Sequence, residues 1–364
     1  MKKSTIWLKL YTMVFAVMIS ACTDSKESKP IINISKNTKI SAILEQQITL
    51  NDNLLYCASF QKAWDSMHDK IIKSDIVLKN DSFISNELNR QLIDKNDISS
   101  GSYVAVAGEL SNQLIDELTK ELRSKFGELS QSEFNIPRPT SNSHQLFAYA
   151  FLYKNIKFRY EFERLHEPIN FMTNNNISKV ASFGIDLFSS SNREHLNLSQ
   201  QVEIFDYIND DDFIIKLTTG QDADEIILAK IAPEKTIMKT YKQVIGRVSR
   251  GTASALKDNE TLRIPIINFD LSQDISELKN TQITNKGWNG WIIANAVMNI
   301  RFKLDEKGAV LKSFGSLSAK LDEPEKPRNF IFNKPYFVCL KQKGGKLPYL
   351  AMWFNNSELF HKAP

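Results

Sequence analysis

Apolar residues recur at helical spacing through the first third of the chain. From Phe60 onward they stand at i, i+4, i+7 and i+11, which predicts a helix over Ser59–Lys73. Leu110–Phe126 presents one apolar face and places its cations toward its C-terminal end, where they suit the helix dipole. Shorter helical segments are expected at Ser41–Gln47 and near Ile275–Leu278.

Short apolar runs bounded by polar residues predict β-strands through the rest of the chain. Their β-branched and aromatic residues fit a pleated, half-buried surface. Helices therefore come mainly early and strands mainly late, an order that predicts an α+β fold rather than repeating βαβ units. The predicted strands are Tyr103–Ala107, Leu146–Tyr153, Val180–Phe188, Gln201–Tyr207, Phe213–Leu217, Glu225–Ile231 and Ile264–Leu271.

The C-terminal quarter has an unusual order of elements. A buried strand over Ile293–Leu304 ends in the acidic turn Asp305–Gly308, and two further strands follow at Tyr336–Leu340 and Leu347–Phe354. Between the turn and Phe332 lie 23 residues (309–331) that form a long irregular segment. Irregular segments of that length are uncommon in compact domains and usually carry function.

This order of elements resembles the C-terminal quarter of the serpin family of protease inhibitors. Asp305-Glu306-Lys307-Gly308 stands where that family has the end of a strand and its hinge, and Phe332–Phe354 stands where it has the closing strands. Weaker matches extend the resemblance over about residues 40–360. The resemblance implies several N-terminal helices packed on a large mixed or antiparallel sheet, further sheets, and an exposed reactive loop near the C-terminus.

The resemblance implies that residues 309–329 act as bait for a serine or cysteine protease. Counting back from the closing strands places the reactive bond between Lys320 and Leu321. Counting forward from Gly308 places it after Asp322, so two positions stay open. A lysine there would suit a trypsin-like protease, whose pocket carries a carboxylate, but Lys320 could equally be a solvated loop cation.

The hinge departs from the pattern of inhibitory serpins. The resemblance assigns the hinge to Glu306, Gly308 and Ala309, and the family follows its glycine with small residues. Here Leu311 is bulkier than is usual in the family, and the β-branched Val310 and the large Phe314 would slow insertion of this segment into a sheet. No charge would be buried by such an insertion, so it is not excluded.

A second departure concerns the polar cluster that lies under the opening point of the family's large sheet. By alignment those positions fall at Cys57–Phe60, Tyr149 and Met298, where only Ser59 offers the usual chemistry. Tyr149 and Met298 are expected to pack the sheet shut from beneath. The alternative function is therefore a non-inhibitory serpin-fold lipoprotein that acts as a binding or structural surface module.

The N-terminus resembles that of a bacterial lipoprotein. Three lysines, an apolar run of ten residues and small residues before Cys22 suggest that 1–21 is a signal peptide. Cys22 would then carry the lipid, which would include palmitate. Residues 22–37 would form a flexible tether, and residues 38–364 would form a single domain. Thr23 after the cysteine favours, by the same resemblance, the bacterial outer membrane on its periplasmic or surface face. An ordinary cleaved signal or a short membrane anchor is the alternative.

Removal of this leader changes the charge of the chain. The number of Lys and Arg residues falls from 46 to 43, against 42 Asp and Glu residues, which gives a net charge of +1. No basic block interleaved with aromatic residues remains, so we exclude nucleic acid as a partner. Cys57 and Cys339 are expected on strands with another strand between them, too far apart for a disulfide and hence buried free thiols. We expect a monomer.

Other candidate sites lack the spacing that chemistry needs. Asp206 and Asp210–Asp212 could form a Ca²⁺ cluster, but Asn209–Asp212 sits between two strand-like runs and reads as a hairpin turn. The five histidines show no metal-ligand spacing, and no nucleophile elbow or phosphate loop occurs. The sequence therefore predicts no enzyme, no metal and no cofactor.

Overall fold

Three β-sheets organise the part of the chain that the computed structural model describes. That part comprises residues 31–32, 36–80, 82–127, 144–173, 176–186, 197–220, 223–307 and 327–363. By its internal contacts, Ile31–Pro364 forms one compact unit.

The strands and helices follow the predicted order, with helices concentrated in the first third. The strands are β1 (Ile31–Ile32), β2 (Thr38–Ser41), β3 (Asn53–Cys57), β4 (Tyr103–Glu109), β5 (Gln145–Asn155), β6 (Glu163–Met172), β7 (Ile177–Ile185), β8 (Val202–Asn209), β9 (Asp212–Thr218), β10 (Asp224–Lys230), β11 (Ser254–Ala255), β12 (Thr261–Pro265), β13 (Ile267–Asp274), β14 (Thr281–Gln282), β15 (Ile292–Leu304), β16 (Asn329–Ile331), β17 (Tyr336–Gln342) and β18 (Leu350–Phe354). The helices are α1 (Ser59–Ser66), α2 (Phe83–Asn89), α3 (Asn112–Phe126) and α4 (Ile237–Val248).

The three sheets differ in size and share a continuous interior. We name them sheet A, with the order β1-β13-β15-β5-β4 and β14 beside β15; sheet B, β11-β8-β9-β10-β17-β18-β3-β2; and sheet C, β16-β12-β7-β6. Sheet A is mixed, because β5 pairs parallel with β15 and antiparallel with β4. Mixed sheets with helices placed early in the chain confirm the predicted α+β fold.

Helices α3 and α4 begin at side chains that cap them. Ser111 Oγ accepts a hydrogen bond from Leu114 N at the start of α3, and Thr236 Oγ1 accepts one from Lys239 N at the start of α4. Each side chain satisfies a backbone amide that the first helical turn leaves unpaired. Helix α1 continues as a π-helix over Met67–Ile72, which confirms the helix predicted over this region.

Two hydrophobic cores flank sheet A. The larger one contains α1 and the inward faces of all three sheets, with Trp64 and Phe60 fully buried. The smaller one lies under α3, whose Ile115, Leu118 and Leu122 cover the opposite face of sheet A. The amphipathic pattern of α3 is thus explained by a single apolar face laid on a sheet.

Several sequence predictions of secondary structure are wrong. Ser41–Gln47 is not helical: Ser41 ends β2, and the chain then turns to a bridge between Gln47 and Thr236. Ile275–Leu278 forms only a hydrogen-bonded turn closed on the Ile275 carbonyl. The single strand expected over 264–271 is divided at Ile266 between sheets C and A, because the Ile266 amide donates to the Ala181 carbonyl.

Strand β6 and helices α2 and α4 are among the regular elements that were not predicted. Strand β6 was missed because Glu163–Met172 carries charges and a proline, which suit an edge strand in solvent. Helix α4 had a readable signal: a threonine cap followed by buried Ile237, Tyr241 and Val244 at helical spacing.

Candidate functional site

The candidate site is the central seam of sheet A, where β5 and β15 run parallel. Their register extends from the pair Gln145 and Ile292 to the pair Asn155 and Lys303. The outer neighbours β4 and β13 are antiparallel to β5 and β15 respectively. A strand entering the seam in the opposite direction would therefore be antiparallel to both of its new neighbours, which is the geometry of an ordinary antiparallel ladder.

One face of the seam is closed by the core under α3. Tyr149 on β5 and Val297 on β15 are paired across the seam and belong to this core. The Asn299 side chain donates from Nδ2 to the Tyr149 hydroxyl at 2.7 Å, and both residues are buried. Burial raises the pKa of Tyr149 well above its usual value, so its hydroxyl stays protonated. This hydrogen bond links the two strands directly.

The other face of the seam belongs to the larger core. Met298 on β15 pairs with Ala150 on β5, and both face the core that contains Cys57. Within it, the Cys57 thiol and the Ser59 hydroxyl lie 3.1 Å apart. The expectation that Tyr149 and Met298 pack together beneath the sheet is wrong, because they project from opposite faces.

A β-bulge in β15 explains why Tyr149 and Met298 lie on opposite faces of sheet A. The register shifts between Ile293 and Asn295, so that Ala294 is an extra residue in β15. Without it Met298 would pair with Phe151, which shares the face of Tyr149. A single inserted residue sends every later side chain of the strand to the other face.

The chain remains anchored where β15 ends and the hinge begins. The Glu306 carbonyl accepts from the Phe162 amide at 2.8 Å, and the Lys307 carbonyl accepts from the Phe158 amide at 3.2 Å. Glu306 is buried; its Oε1 lies 3.3 Å from Arg164, and its Oε2 has no hydrogen-bond partner among the described residues. Strand-like anchoring therefore extends through the first predicted hinge residue, Glu306.

The other residues assigned a role from sequence lie outside the described residues. They are Cys22, Gly308 and Ala309 of the hinge, and the reactive-bond candidates Lys320, Leu321 and Asp322. Their roles stay predictions.

The described residues that follow position 326 are also anchored. Arg328 makes a two-pronged ion pair with the buried carboxylate of Glu260. Its guanidinium also lies 5.3 Å from the ring centre of Phe330. The Asn329 amide donates to Asp210 Oδ1 at 3.2 Å, which fixes the start of β16 to the β8–β9 hairpin.

Lys230, at the end of β10, is the centre of this second anchor. Its buried ammonium donates to the carbonyls of Ile331 and Asp210 at 2.9 and 2.8 Å, and to Asn333 Oδ1 at 2.7 Å. Asp211 Oδ1 lies 2.9 Å away. Burial lowers the pKa of Lys230, while the Asp211 carboxylate opposes that shift. The lysine therefore ties Ile331 and Asn333 to sheet B.

The acidic cluster near this anchor is a hairpin turn, as expected. Asn209 and Asp212 pair at the tip of β8 and β9. Hydrogen bonds from Lys230 and Lys334 hold the pKa of Asp211 below its usual 3.8. Among the described residues, no group of three or more His, Cys, Asp or Glu is arranged to hold a metal ion.

Cys57 and Cys339 occupy the positions predicted from sequence. Strand β18 lies between β3 and β17, with Leu350 beside Cys57 and Ala351 beside Cys339. Both thiols are free and buried. Burial raises the pKa of Cys57 to about 11 and that of Cys339 to about 12, so both stay protonated.

Sequence reasoning missed Asn299, Lys230 and Glu260. Lys230 and Glu260 had a weak signal, since each is a charge at the boundary of an apolar run. Asn299 stands inside the apolar run of β15, where a polar residue needs a partner. Its partner Tyr149 is 150 residues away, so no local pattern could name it.

The sheet order, the seam and the two anchored ends define a serpin-like fold. A tumour suppressing serpin is similar with a TM-score of 0.51 and 10% identity, over 84% of this chain and 92% of that chain. SRPN18 from Anopheles gambiae is similar with a TM-score of 0.51 and 9% identity, over 85% of this chain and 93% of that one. No protein-family model and no curated protein matches the sequence. The serpin-like architecture predicted from the C-terminal quarter is thus confirmed at the level of fold.

Proposed function

We propose that this protein is a serpin-type protease inhibitor that uses residues 309–329 as bait for a serine or cysteine protease. The observation that carries the proposal is the parallel β5–β15 seam, next to which β15 ends at Leu304 and the chain stays anchored through Lys307. The second anchor, around Lys230, holds the chain where it returns at Arg328. A protease that cut between these anchors would leave each end attached to its own sheet.

The upstream half of a cut loop would then enter the seam. It would replace one parallel ladder by two antiparallel ones, so backbone hydrogen bonding increases. Alternation along 309–315 would place Ala309, Leu311, Ser313 and Gly315 on one face and Val310, Lys312 and Phe314 on the other. A protease bound covalently to this half would be carried along the sheet.

The proposed location is a membrane surface. After removal of 1–21, a lipid on Cys22 would hold the domain at the bacterial outer membrane, on the periplasmic or surface face. No helix among the described residues is long and apolar enough to cross a membrane. Labelling with a radioactive fatty acid tests this step, with Cys22→Ala as the variant that should stay unlabelled.

Incubation with proteases tests the inhibitory activity. The mature chain is mixed with trypsin-like and elastase-like proteases, and complexes that survive SDS are sought. Lys320→Gln should abolish a complex with the trypsin-like enzyme if the reactive bond follows Lys320, whereas Lys286→Gln should not. The cut protein should also melt at a higher temperature than the intact one. Clean cleavage without a complex and without a rise in melting temperature would contradict inhibition.

A non-inhibitory binding or structural module is the second candidate. The hydrogen bond between Tyr149 and Asn299, with the apolar core under α3, favours it because both oppose opening of the seam. The two candidates differ in one measurement: only the inhibitor gains thermal stability when its loop is cut.

A further inference from the structure

A partly buried ion pair joins sheet A to sheet B near the hinge end of the seam. Lys154 Nζ on β5 lies 2.5 Å from Oδ2 of Asp224, the first residue of β10. Asp224 Oδ1 also accepts from the Tyr349 hydroxyl at 3.0 Å and from Gln342 Nε2 at 3.1 Å. Three donors therefore satisfy this carboxylate, and it offers little acceptor capacity to anything else.

A cleft of about 400 Å³ opens beside the ion pair. Residues 153–157 at the end of β5 form one wall, Lys125 and Phe126 at the end of α3 form another, and Asp224 and Gln342 of sheet B form the third. The volume falls in the range of small-molecule sites, about 300–1,000 Å³. The rings of Phe126 and Tyr153 meet edge to face, with their centres 5.8 Å apart, and supply an apolar surface.

The charges of the lining select the ligand. Lys154 is neutralised by Asp224, and Lys125 lies 2.8 Å from Glu121. Lys157 is exposed, and its ammonium makes no hydrogen bond or ion pair with any described residue. The described lining therefore leaves one uncommitted cation beside two aromatic rings.

We infer that this cleft binds a small organic anion, with its carboxylate or phosphate on Lys157 and its apolar part against Phe126 and Tyr153. A ligand held there would fill the cleft between the end of β5 and the sheet B residues Asp224 and Gln342. Any opening of the seam that moves β5 relative to sheet B breaks the pair between Lys154 and Asp224. Such a ligand would therefore stabilise the closed sheet, and this regulatory consequence rests on the proposed function.

Two probes of the same shape and different charge test the binding. Calorimetric titration of the full chain, against a matched detergent blank, compares 1-naphthoate with the neutral 1-naphthamide. We expect at least tenfold tighter binding of naphthoate, and Lys157→Gln should weaken naphthoate binding about tenfold while leaving naphthamide unchanged. Lys286→Gln, an exposed lysine outside the cleft lining, is the matched control and should leave both affinities unchanged.

Asp222 precedes the lining residue Ala223 and lies outside the described residues, so the test includes Asp222→Asn. Naphthoate should bind this variant at least as tightly as it binds the natural chain. Equal affinities for the two probes, or equal effects of Lys157→Gln and Lys286→Gln, would overturn the inference. The titration contains no protease, and the assay for the protease complex contains no ligand. A negative result in one assay therefore does not change the interpretation of the other. Naphthoate should also raise the melting temperature of the natural chain, and Lys157→Gln should lose this rise.

Discussion

Tyr149→Phe removes a hydroxyl that accepts a hydrogen bond from the Asn299 amide across the seam of sheet A. The change leaves the aromatic ring in the core under α3 and deletes a single oxygen. The Asn299 amide then loses this partner in a buried site. Leaving a buried donor without its acceptor costs about 1–3 kcal/mol, and we expect Tyr149→Phe to lower the free energy of unfolding by that amount.

Hydrogen exchange tests whether this cost falls on the seam. If Tyr149 and Asn299 hold β5 against β15, opening of these strands should become easier by the same free energy. Amide exchange in β5 and β15 should then accelerate about 5- to 150-fold, since about 1.4 kcal/mol is a factor of ten. Exchange in β10 and β17 of sheet B should change little.

Tyr153→Phe is the matched control. Tyr153 lies on the same strand and face, packs against Phe126, and its hydroxyl makes no hydrogen bond with a described residue. Its removal should cost less than about 0.5 kcal/mol. A double-mutant cycle with Asn299→Ala should give a coupling of about 1 kcal/mol between Tyr149 and Asn299. A coupling near zero, or equal effects of the two tyrosine variants, would refute the conclusion that the hydrogen bond between Tyr149 and Asn299 holds β5 against β15.

Three further outcomes follow from the buried charges and thiols. Lys154→Met should lower the free energy of unfolding in urea by about 1–3 kcal/mol, because Asp224 loses its ionic partner and keeps only its hydrogen bonds from Tyr349 and Gln342. Adding Asp224→Asn should recover part of that loss, and equal stability of the single and double variants would contradict the pairing. The pKa of Asp211 is lower in the folded protein than in the unfolded chain, so its contribution to stability is present above pH 3.8 and is lost as the pH falls through the folded value. Asp211→Asn should therefore reduce the loss of stability at acidic pH. An unchanged acid limb of the stability profile would contradict this role of Asp211. The raised pKa values of Cys57 and Cys339 predict no reaction with a disulfide reagent at pH 8 in the native protein and two reactive thiols from these positions after unfolding.

Local sequence patterns were reliable where one element decides its own structure. The apolar face of α3 required no knowledge of its neighbours, because the 3.6-residue period is internal to the helix. The spacing of Cys57 and Cys339 was also predicted, through the order of strands that the serpin resemblance implied. Ser41–Gln47 failed because helical propensity in a short segment is weak beside strand pairing and a bridge to Thr236.

The candidate site depended on relations between elements. Alternation tells which residues of β15 share a face, but it cannot say which residue of β5 stands opposite. The bulge at Ala294 set that register and sent Met298 away from Tyr149. The acceptors of Lys230 at Ile331 and Asn333 lie about 100 residues later in the chain, a separation that no local spacing rule predicts.

The sequence by itself determined the helices and strands with a clear internal period, such as α3 and β15, and the order of elements that resembles a serpin. The tertiary structure alone decided the partners, because register, bulges and long-range ion pairs arise only when strands distant in sequence meet. The acidic turn Asp305–Gly308 could be identified from its residue types alone. That Glu306 is held by Phe162 and Arg164, and that the adjacent seam is locked by Tyr149 and Asn299, follows from packing.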